Sequence, residues 1–399
     1  MPHATLSNAL VAHGGGPTCV LNASLAGIVE ECHAQPRIAT LYGAAGGAGG
    51  LLADSLTNLS AEPLENWPAI ARSPGSVLGS SRQHLAATDF DRMVDLLRRH
   101  DIRYVFLTGG NGTMEMALRL SGACRAQAYE AFVIGVPKTI DNDLYGTDHT
   151  PGFPSAARFF IHALHFIGAD NRALPGVTVV EVLGRDAGWL SAATLLAREL
   201  DDDAPHLVYF PERPLPFAQL ASDVESVYRR LGRAVIAVCE GQLDEHRSPF
   251  GADVRSTSRT PLALNLAHVL SMRLSKALGI SARSEKPGLL GRSFAALASP
   301  VDLAEARQCG QAAVRLALAG ETAVMVSIER IQDTPYQTAF GHVPIETVSG
   351  RTRPFPEKWI PGHPTLASPH FAAWLNPLLG PIPTLGRLSQ RPRIIGDKS

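Results

Sequence analysis

Cysteine is scarce in this 399-residue chain: five residues, Cys19, Cys32, Cys124, Cys239 and Cys309, scattered without a CxxC pair. That usage fits reduced thiols and speaks against a disulfide framework or a cysteine-rich zinc site. Charge of either sign is not in excess. Lys and Arg number 36 against 37 Asp and Glu, a net charge of −1, which gives no electrostatic basis for nucleic acid or an anionic membrane. Gly, Arg or Asp interrupts each apolar run well short of about 18 residues, so no transmembrane span is expected. The opening MPHATLSNALVAHGGG lacks a basic region followed by an apolar core, so a cytoplasmic location without a secretory signal is expected. There is also no GxGxxG and no Walker loop, which counts against a dinucleotide or P-loop enzyme.

What is present is an ordinary globular composition, 45% hydrophobic with a mean hydropathy of +0.04. The length allows two domains or one large interleaved unit. Strand-like runs alternate with helical patterns. ALVAHGG precedes a helix over Asn22–His33, RYVFLTGG (Arg103–Gly110) one over Thr113–Ser121, and GVTVVEVLG (Gly176–Gly184) one over Trp189–Arg198; AFVIGV (Ala131–Val136) and AVIAVCEG (Ala234–Gly241) are further strands. This predicts an α/β protein with at least two parallel sheets covered on both faces. Ligands bind such sheets at the carboxyl ends of the strands. The Pro-rich stretch from Arg353 to Pro392 reads as an irregular wrapping segment.

Four motifs stand at those strand ends. HGGGPTCVLNASL (His13–Leu25) is a glycine turn ahead of a helix, suited either to an anion under the helix amino end or simply to a tight turn. TGGNGTMEMA (Thr108–Ala117) repeats the design; Asn111 and Thr113 can touch a metal or phosphate, or serve as a helix cap. IGVPKTIDNDL (Ile134–Leu144) sets Asp141 and Asp143 two residues apart, so that one carboxylate can accept a hydroxyl proton and the other orient it or hold Mg²⁺, with Lys138 neutralising a phosphate. The alternative there is an Asx turn beside a solvated lysine. EVLGRDAGW (Glu181–Trp189) places Arg185 directly after a buried strand, where a guanidinium meets an anion or pairs with a neighbouring acid. Arg82 in LGSSR, Arg283 and Arg292 in ARSEKPGLLGRS, and Glu240 in CEG add further polar groups.

In this order, from Leu10 to Arg315, GGGPT, LGSSR, GGNGT, PKTIDNDL, TPGF, EVLGRDAGW, CEG and AR…GR resemble the phosphofructokinase family. The resemblance implies two Rossmann-like domains interleaved in the chain: residues 1–152 with 290–325 binding the donor, and 153–289 with 326–399 binding the sugar phosphate. It implies transfer of a phosphoryl group from pyrophosphate or ATP to the 1-hydroxyl of fructose 6-phosphate, with Mg²⁺, in a dimer or tetramer. By the same resemblance Asp141 is the base, with Asp143, Lys138 and Arg82 completing the catalytic group. Gly15, Gly16, Gly110, Asn111, Gly112 and Thr113 meet the donor, Asn111 also the metal. Thr139, Leu183, Gly184, Arg185, Glu240, Arg283 and Arg292 meet the sugar phosphate.

The donor reading leans to pyrophosphate. Lys138 before TIDND matches pyrophosphate users of the family, whereas Gly112 matches classical ATP users. Met116 stands at a position usually small in ATP users, where it would crowd adenine or ribose. An ATP-dependent 6-phosphofructokinase is the alternative. Three positions depart from the family pattern. Asn111 replaces an aspartate that approaches Mg²⁺; Gly176 and Leu289 replace contacts to the sugar phosphate, which Arg172 or Lys286 would have to replace in turn. These departures also admit another sugar phosphate or a polyol as acceptor, or a non-catalytic phosphometabolite-binding subunit.

Overall fold

A computed structural model describes residues 6–251, 254–255, 262–362 and 367–387. Among the described residues there are thirteen strands: β1 (Ser7–His13), β2 (Ile38–Ala44), β3 (Leu56–Asn58), β4 (Ile102–Gly109), β5 (Phe132–Pro137), β6 (Val177–Val182), β7 (Leu207–Tyr209), β8 (Ala234–Cys239), β9 (Val254–Arg255), β10 (Leu262–Ala263), β11 (Ala282–Glu285), β12 (Val324–Asp333) and β13 (Tyr336–Pro344). The first sheet has the order β13-β12-β5-β4-β1-β2-β3, the second β11-β6-β8-β7, and β9 and β10 form a small antiparallel pair. In the first sheet β12, β5, β4, β1 and β2 run parallel, and the edge strands β3 and β13 run antiparallel to their neighbours. The second sheet is parallel throughout. The central strands are near-continuous apolar runs, as burial on both faces by helices requires. Each strand read from the sequence forms within a residue or two of its expected bounds, because such runs have no amphipathic alternative.

The crossing between sheets happens twice. The helix Phe153–Ala173 leads from the first sheet to the second, and the helix Pro300–Leu318 returns. The returning helix lies against Leu21–Ala34 so closely that a Cβ on Gly27 would sit 1.9 Å from the Arg307 carbonyl oxygen, and one on Gly310 2.1 Å from that of Ser24. Only glycine permits this approach. It fixes the returning chain beside β12, which then pairs with β5 at Val324↔Ile134. The sequence division assigned residues 326–399 to the sugar-binding part. The hairpin β12–β13 instead extends the first sheet, so the return to it runs on to Pro344. The Pro-rich stretch is less irregular than its composition suggests. It contains the helix Pro369–Leu379, which opens on a proline as the first turn of a helix tolerates; residues 388–392 of that stretch lie outside the described residues.

Candidate active site

Three adjacent strands of the first sheet end level with one another: His13 pairs with Thr108, and Gly109 with Pro137. Their following turns, Gly14–Gly16, Gly110–Thr113 and Lys138–Asp143, therefore meet. In the second sheet Val182 is level with Cys239, so Leu183–Arg185 lies beside Glu240.

Lys138 is buried and ties two of the turns together. Its Nζ donates to the carbonyls of Gly14 (3.0 Å) and Gly16 (2.7 Å). Burial lowers its pKa to about 8, with Arg292 and Arg82 adding to the shift and Asp141 opposing it. Gly16 has no side chain because two guanidiniums occupy that space: a Cβ would lie 2.3 Å from Arg292 Nη1 and 3.0 Å from Arg82 Nη2. A cavity of about 320 Å³ opens here, lined by Gly15, Gly16, Ser80, Ser81, Arg82 and Arg292 among others. The glycine turn differs from the expected helix-end site. The N–H groups of Gly14 and Gly15 are spent on Thr108 and Ser81, and the helix begins only at Leu21. The positive end of this site is made of side chains rather than a helix amino end. Ser80 Oγ donates to Gly15 O (2.7 Å), and buried His13 Nδ1 lies 2.7 Å from Ser76 Oγ, which itself donates to Gly79 O. Both contacts fix the loop that carries Arg82. Sequence reasoning passed over them, although the serines beside Arg82 in LGSSR were a visible signal.

Asp141 stands within electrostatic reach of Lys138 and Arg292. Burial, reinforced by Asp143 and then Glu240, raises its pKa to about 7 against the attraction of Arg185 and Lys138. Its backbone N–H donates to Thr139 Oγ1 (3.1 Å). Glu240 is likewise raised, by burial and by Glu181, with Arg185 opposing. Arg292 is lowered by burial and by Arg82. Asp141, Asp143, Lys138, Arg82, Arg185, Glu240 and Arg292 are thus coupled electrostatically.

Asn111 opens the helix Asn111–Ala126, and its Nδ2 donates to Asp143 Oδ2 (2.8 Å). Its Oδ1 is buried without a hydrogen-bond partner. Thr113 is wedged between two turns: a Cβ on either Gly14 or Gly109 would lie 2.1 Å from its Oγ1. Gly112 borders open ground, with nothing within 4 Å of a Cβ there, whereas a Cβ on Gly110 would lie 3.5 Å from Lys138 O and 3.6 Å from Thr139 Cβ. Met116 packs against the apolar core beneath the sheet. An orphaned amide oxygen beside a carboxylate fits a hard divalent cation such as Mg²⁺, which takes oxygen ligands and retains waters. Among the described residues no group of three His, Cys, Asp or Glu side chains is arranged to hold a metal alone. Asn111 and Asp143 would therefore share such an ion with a ligand's phosphate oxygens.

The remaining expected positions are less uniform. Gly184 (φ +139°) and Arg185 (φ +51°) form a strained turn. It packs so tightly on the next strand end that a Cβ on Gly241 would lie 1.7 Å from Arg185 O. The Leu183 side chain packs against the apolar core, which leaves its backbone for a ligand. Arg283 is exposed on the edge strand β11, level with Thr178 rather than with the strand end at Val182. The two candidates for replacing the missing contacts are already engaged. Arg172 pairs with Asp202 (2.7 Å) and Asp203 (2.8 Å), and Lys286 with Glu181 (2.8 Å).

Residues 8–317 match the phosphofructokinase family. The pyrophosphate--fructose 6-phosphate 1-phosphotransferase of Rhodospirillum rubrum is 37% identical, over 93% of this chain and 94% of that protein. Its counterpart in Xanthomonas campestris is 34% identical, over 89% and 87%. The crystal structure of a pyrophosphate-dependent phosphofructokinase from Marinobacter aquaeolei superposes with a TM-score of 0.85 at 30% identity, covering 97% of this chain and 95% of that one. With its two sheets, the level strand ends and the TIDND loop beside two glycine turns, this chain belongs to the phosphofructokinase family.

Proposed function

We propose that the protein transfers a phosphoryl group from pyrophosphate to the 1-hydroxyl of fructose 6-phosphate, with Asp141 as base. The carrying observation is the opposition across one cleft of a carboxyl raised to about 7 and a group of three cations over a glycine turn. Phosphoryl transfer asks for in-line positioning and charge neutralisation rather than covalent chemistry. Arg82 and Lys138 meet the donor's oxygens and the charge that moves between them, and Arg292, expected on the sugar phosphate, joins them because its guanidinium shares the space over Gly16 with that of Arg82. Asp141 takes the proton of the attacking hydroxyl, and a pKa near 7 lets it do so at neutral pH. Arg185 and Glu240 hold the sugar from the second sheet. Mg²⁺, held through Asn111 and Asp143, would supply further neutralisation of the donor's charge. In this reading residues up to 152 together with the segment that returns from 290 through β13 form the donor half, and residues 153–289 with the stretch after β13, whose Phe355, Phe371 and Leu375 pack into the core of the second sheet, form the sugar half.

Three observations favour pyrophosphate over ATP. The described walls of the donor cavity are glycines, serines, arginines and Pro17, without an aromatic side chain to stack a base. Lys138 adds charge under the turn, where a small dense anion gains most. The two curated relatives named above carry pyrophosphate in their names. Measuring sugar-phosphate-dependent consumption of pyrophosphate and of ATP, with native protein and Asp141→Ala, tests the reading. Unchanged activity in the variant removes the mechanism, and faster turnover with ATP reverses the donor.

A second acceptor is favoured by one observation: Gly176 and Leu289 offer no charge, and Arg172 and Lys286 are bound elsewhere. The screen therefore includes sugar phosphates and polyols beside fructose 6-phosphate. A homo-oligomer is part of the proposal. Phe166 (58% exposed), Leu289 (67%), Leu290 (54%) and Phe294 (42%) leave an apolar surface beside the sugar half, and Phe159, one heptad before Phe166, lies against Phe294 with ring centroids 5.7 Å apart. We place the enzyme in the cytoplasm; among the described residues no helix is long and apolar enough to cross a membrane.

A further inference from the structure

One residue far from every motif grips the catalytic loop. Arg353 follows the hairpin β12–β13, more than 200 positions after the aspartates. Its Nε and Nη2 both donate to the carbonyl of Asn142 (3.1 and 3.0 Å), and its Nη1 to those of Thr147 (2.6 Å) and Asp148 (3.1 Å). Its backbone N–H donates to Asp143 O (2.8 Å). Every one of these acceptors is a main-chain carbonyl of the loop, so the site is shaped for the fork of a guanidinium rather than for a charge pair. The guanidinium also lies over the Trp189 ring, 4.7 Å from its centroid, which fixes its plane.

Asn142 is the residue between Asp141 and Asp143. It adopts φ +54°, the left-handed region, where asparagine is tolerated but needs support. Support comes from two sides: Arg353 holds its carbonyl, and its Oδ1 accepts the N–H of Thr150 (3.0 Å). The turn at Asn142 sets the directions in which its two neighbours leave the chain. Farther along, the loop is fastened by the same C-terminal segment and the returning strand: Asp148 accepts from Trp374 Nε1 (3.0 Å) and Arg330 (3.0 Å). His149 bridges Asp148 (2.9 Å) and Glu305 (2.7 Å).

We propose that Arg353 is a positioning residue for phosphoryl transfer: by clamping the carbonyl of the Asn142 turn together with those of Thr147 and Asp148 farther along the loop it aims Asp141 and Asp143 into the cleft. It touches none of the reacting groups. The inference rests on the reading of Asp141 as base, and it separates from that reading because Asp141→Ala tests the base with the clamp intact.

The test compares native protein, Arg353→Lys and Arg353→Ala by steady-state kinetics, after circular dichroism and size-exclusion chromatography confirm that each is folded and assembled as the native protein is. Lysine keeps the charge but cannot reach three carbonyls in one plane. Both variants are expected to lose about 100-fold in kcat, the scale of a misplacement of roughly 1 Å, with KM for donor and sugar phosphate within about threefold. Methylguanidinium added to Arg353→Ala is expected to restore at least about tenfold of the lost kcat, and ethylammonium not to, since only the former reproduces the fork. A merely structural arginine would lower the amount of active protein without this selective rescue. Should both variants fail to fold, Asn142→Gly addresses the same turn: glycine keeps the left-handed conformation accessible but loses the anchor to Thr150, and a kcat loss of at least about tenfold at unchanged KM is expected. Native kcat in any folded variant of the three, a loss confined to KM, or equal rescue by the two cations overturns the proposal.

Discussion

Asp141→Asn should make the protein more stable and inactive at once, and the size of the gain follows from the buried carboxyl. Burial, helped by Asp143, lifts the Asp141 pKa from 3.8 to about 7. An acid whose folded pKa lies above its unfolded value is penalised for ionising in the fold. The penalty is absent below pH 3.8, grows as pH rises, and is complete above pH 7. A shift of about 3 units at 1.36 kcal/mol each amounts to roughly 4 kcal/mol at pH 8, and to about 1.7 kcal/mol at pH 5. Asparagine matches the shape and carries no charge to desolvate, so the variant escapes that cost. Guanidinium denaturation read by fluorescence at both pH values gives the difference from the midpoints, provided the slopes agree. The expected result is a variant more stable than native by roughly 4 kcal/mol at pH 8, with the gap reduced to under about 2 at pH 5, and with kcat down by at least about 10³ at either pH. A variant no more stable than native at pH 8, or a gap of equal size at both pH values, would refute the assignment of Asp141 as a desolvated base.

Asn111→Asp places a carboxylate where an amide now donates to Asp143 Oδ2 at 2.8 Å. Calorimetric titration should show Mg²⁺ binding tightened by about tenfold, and the metal-free variant should be less stable by about 1–2 kcal/mol because two like charges meet. His149→Gln breaks the bridge between Asp148 and Glu305 and should cost about 3–5 kcal/mol near neutral pH. Burial alone would lower the His149 pKa, but its two acidic partners outweigh that and raise it to about 9. Its contribution is therefore complete below pH 6.5 and is lost as pH rises through 9, so urea midpoints of native and variant should converge near pH 10.

The strands that carry the site were legible because each is a short apolar run that ends in glycine or charge. β1, β4, β5, β6 and β8 all have this form, and parallel strands must place their ligands at that end. Lys138, Asp141, Arg185 and Glu240 could be read for the same reason. The hairpin β12–β13 was not legible as part of the first sheet. Its outer half is polar and exposed, and its place is decided by a pairing with β5 nearly 190 residues away. Arg353 and the Asp148–His149–Glu305 bridge were hidden likewise, since their partners are neighbours only after the chain has crossed between sheets twice. Arg172 and Lys286 show the converse. Their sequence positions suggested free cations near the sugar, and local acids at 202, 203 and 181 had already claimed them.

The distribution of charge along the cleft explains why this site is expensive to build and hard to replace. On one side burial, Arg292 and Arg82 lower the Lys138 pKa, and burial and Arg82 lower that of Arg292; on the other burial and Asp143, with Glu240 beyond, raise the Asp141 carboxyl. Each grouping is unfavourable alone, and only their opposition across the cleft limits the cost. A local arrangement that stability alone would select against marks a working site. An anion bearing several oxygens relieves the repulsion among the cations. The hydroxyl proton passing to Asp141 relieves that among the acids. Both reliefs are greatest when donor charge and acceptor proton move together, which is the condition for binding the transition state more tightly than either substrate. The glycines at 15 and 16 and the clamp at 353 serve one requirement: they hold two clusters, each repelling within itself, at a separation that a folded chain would otherwise relax.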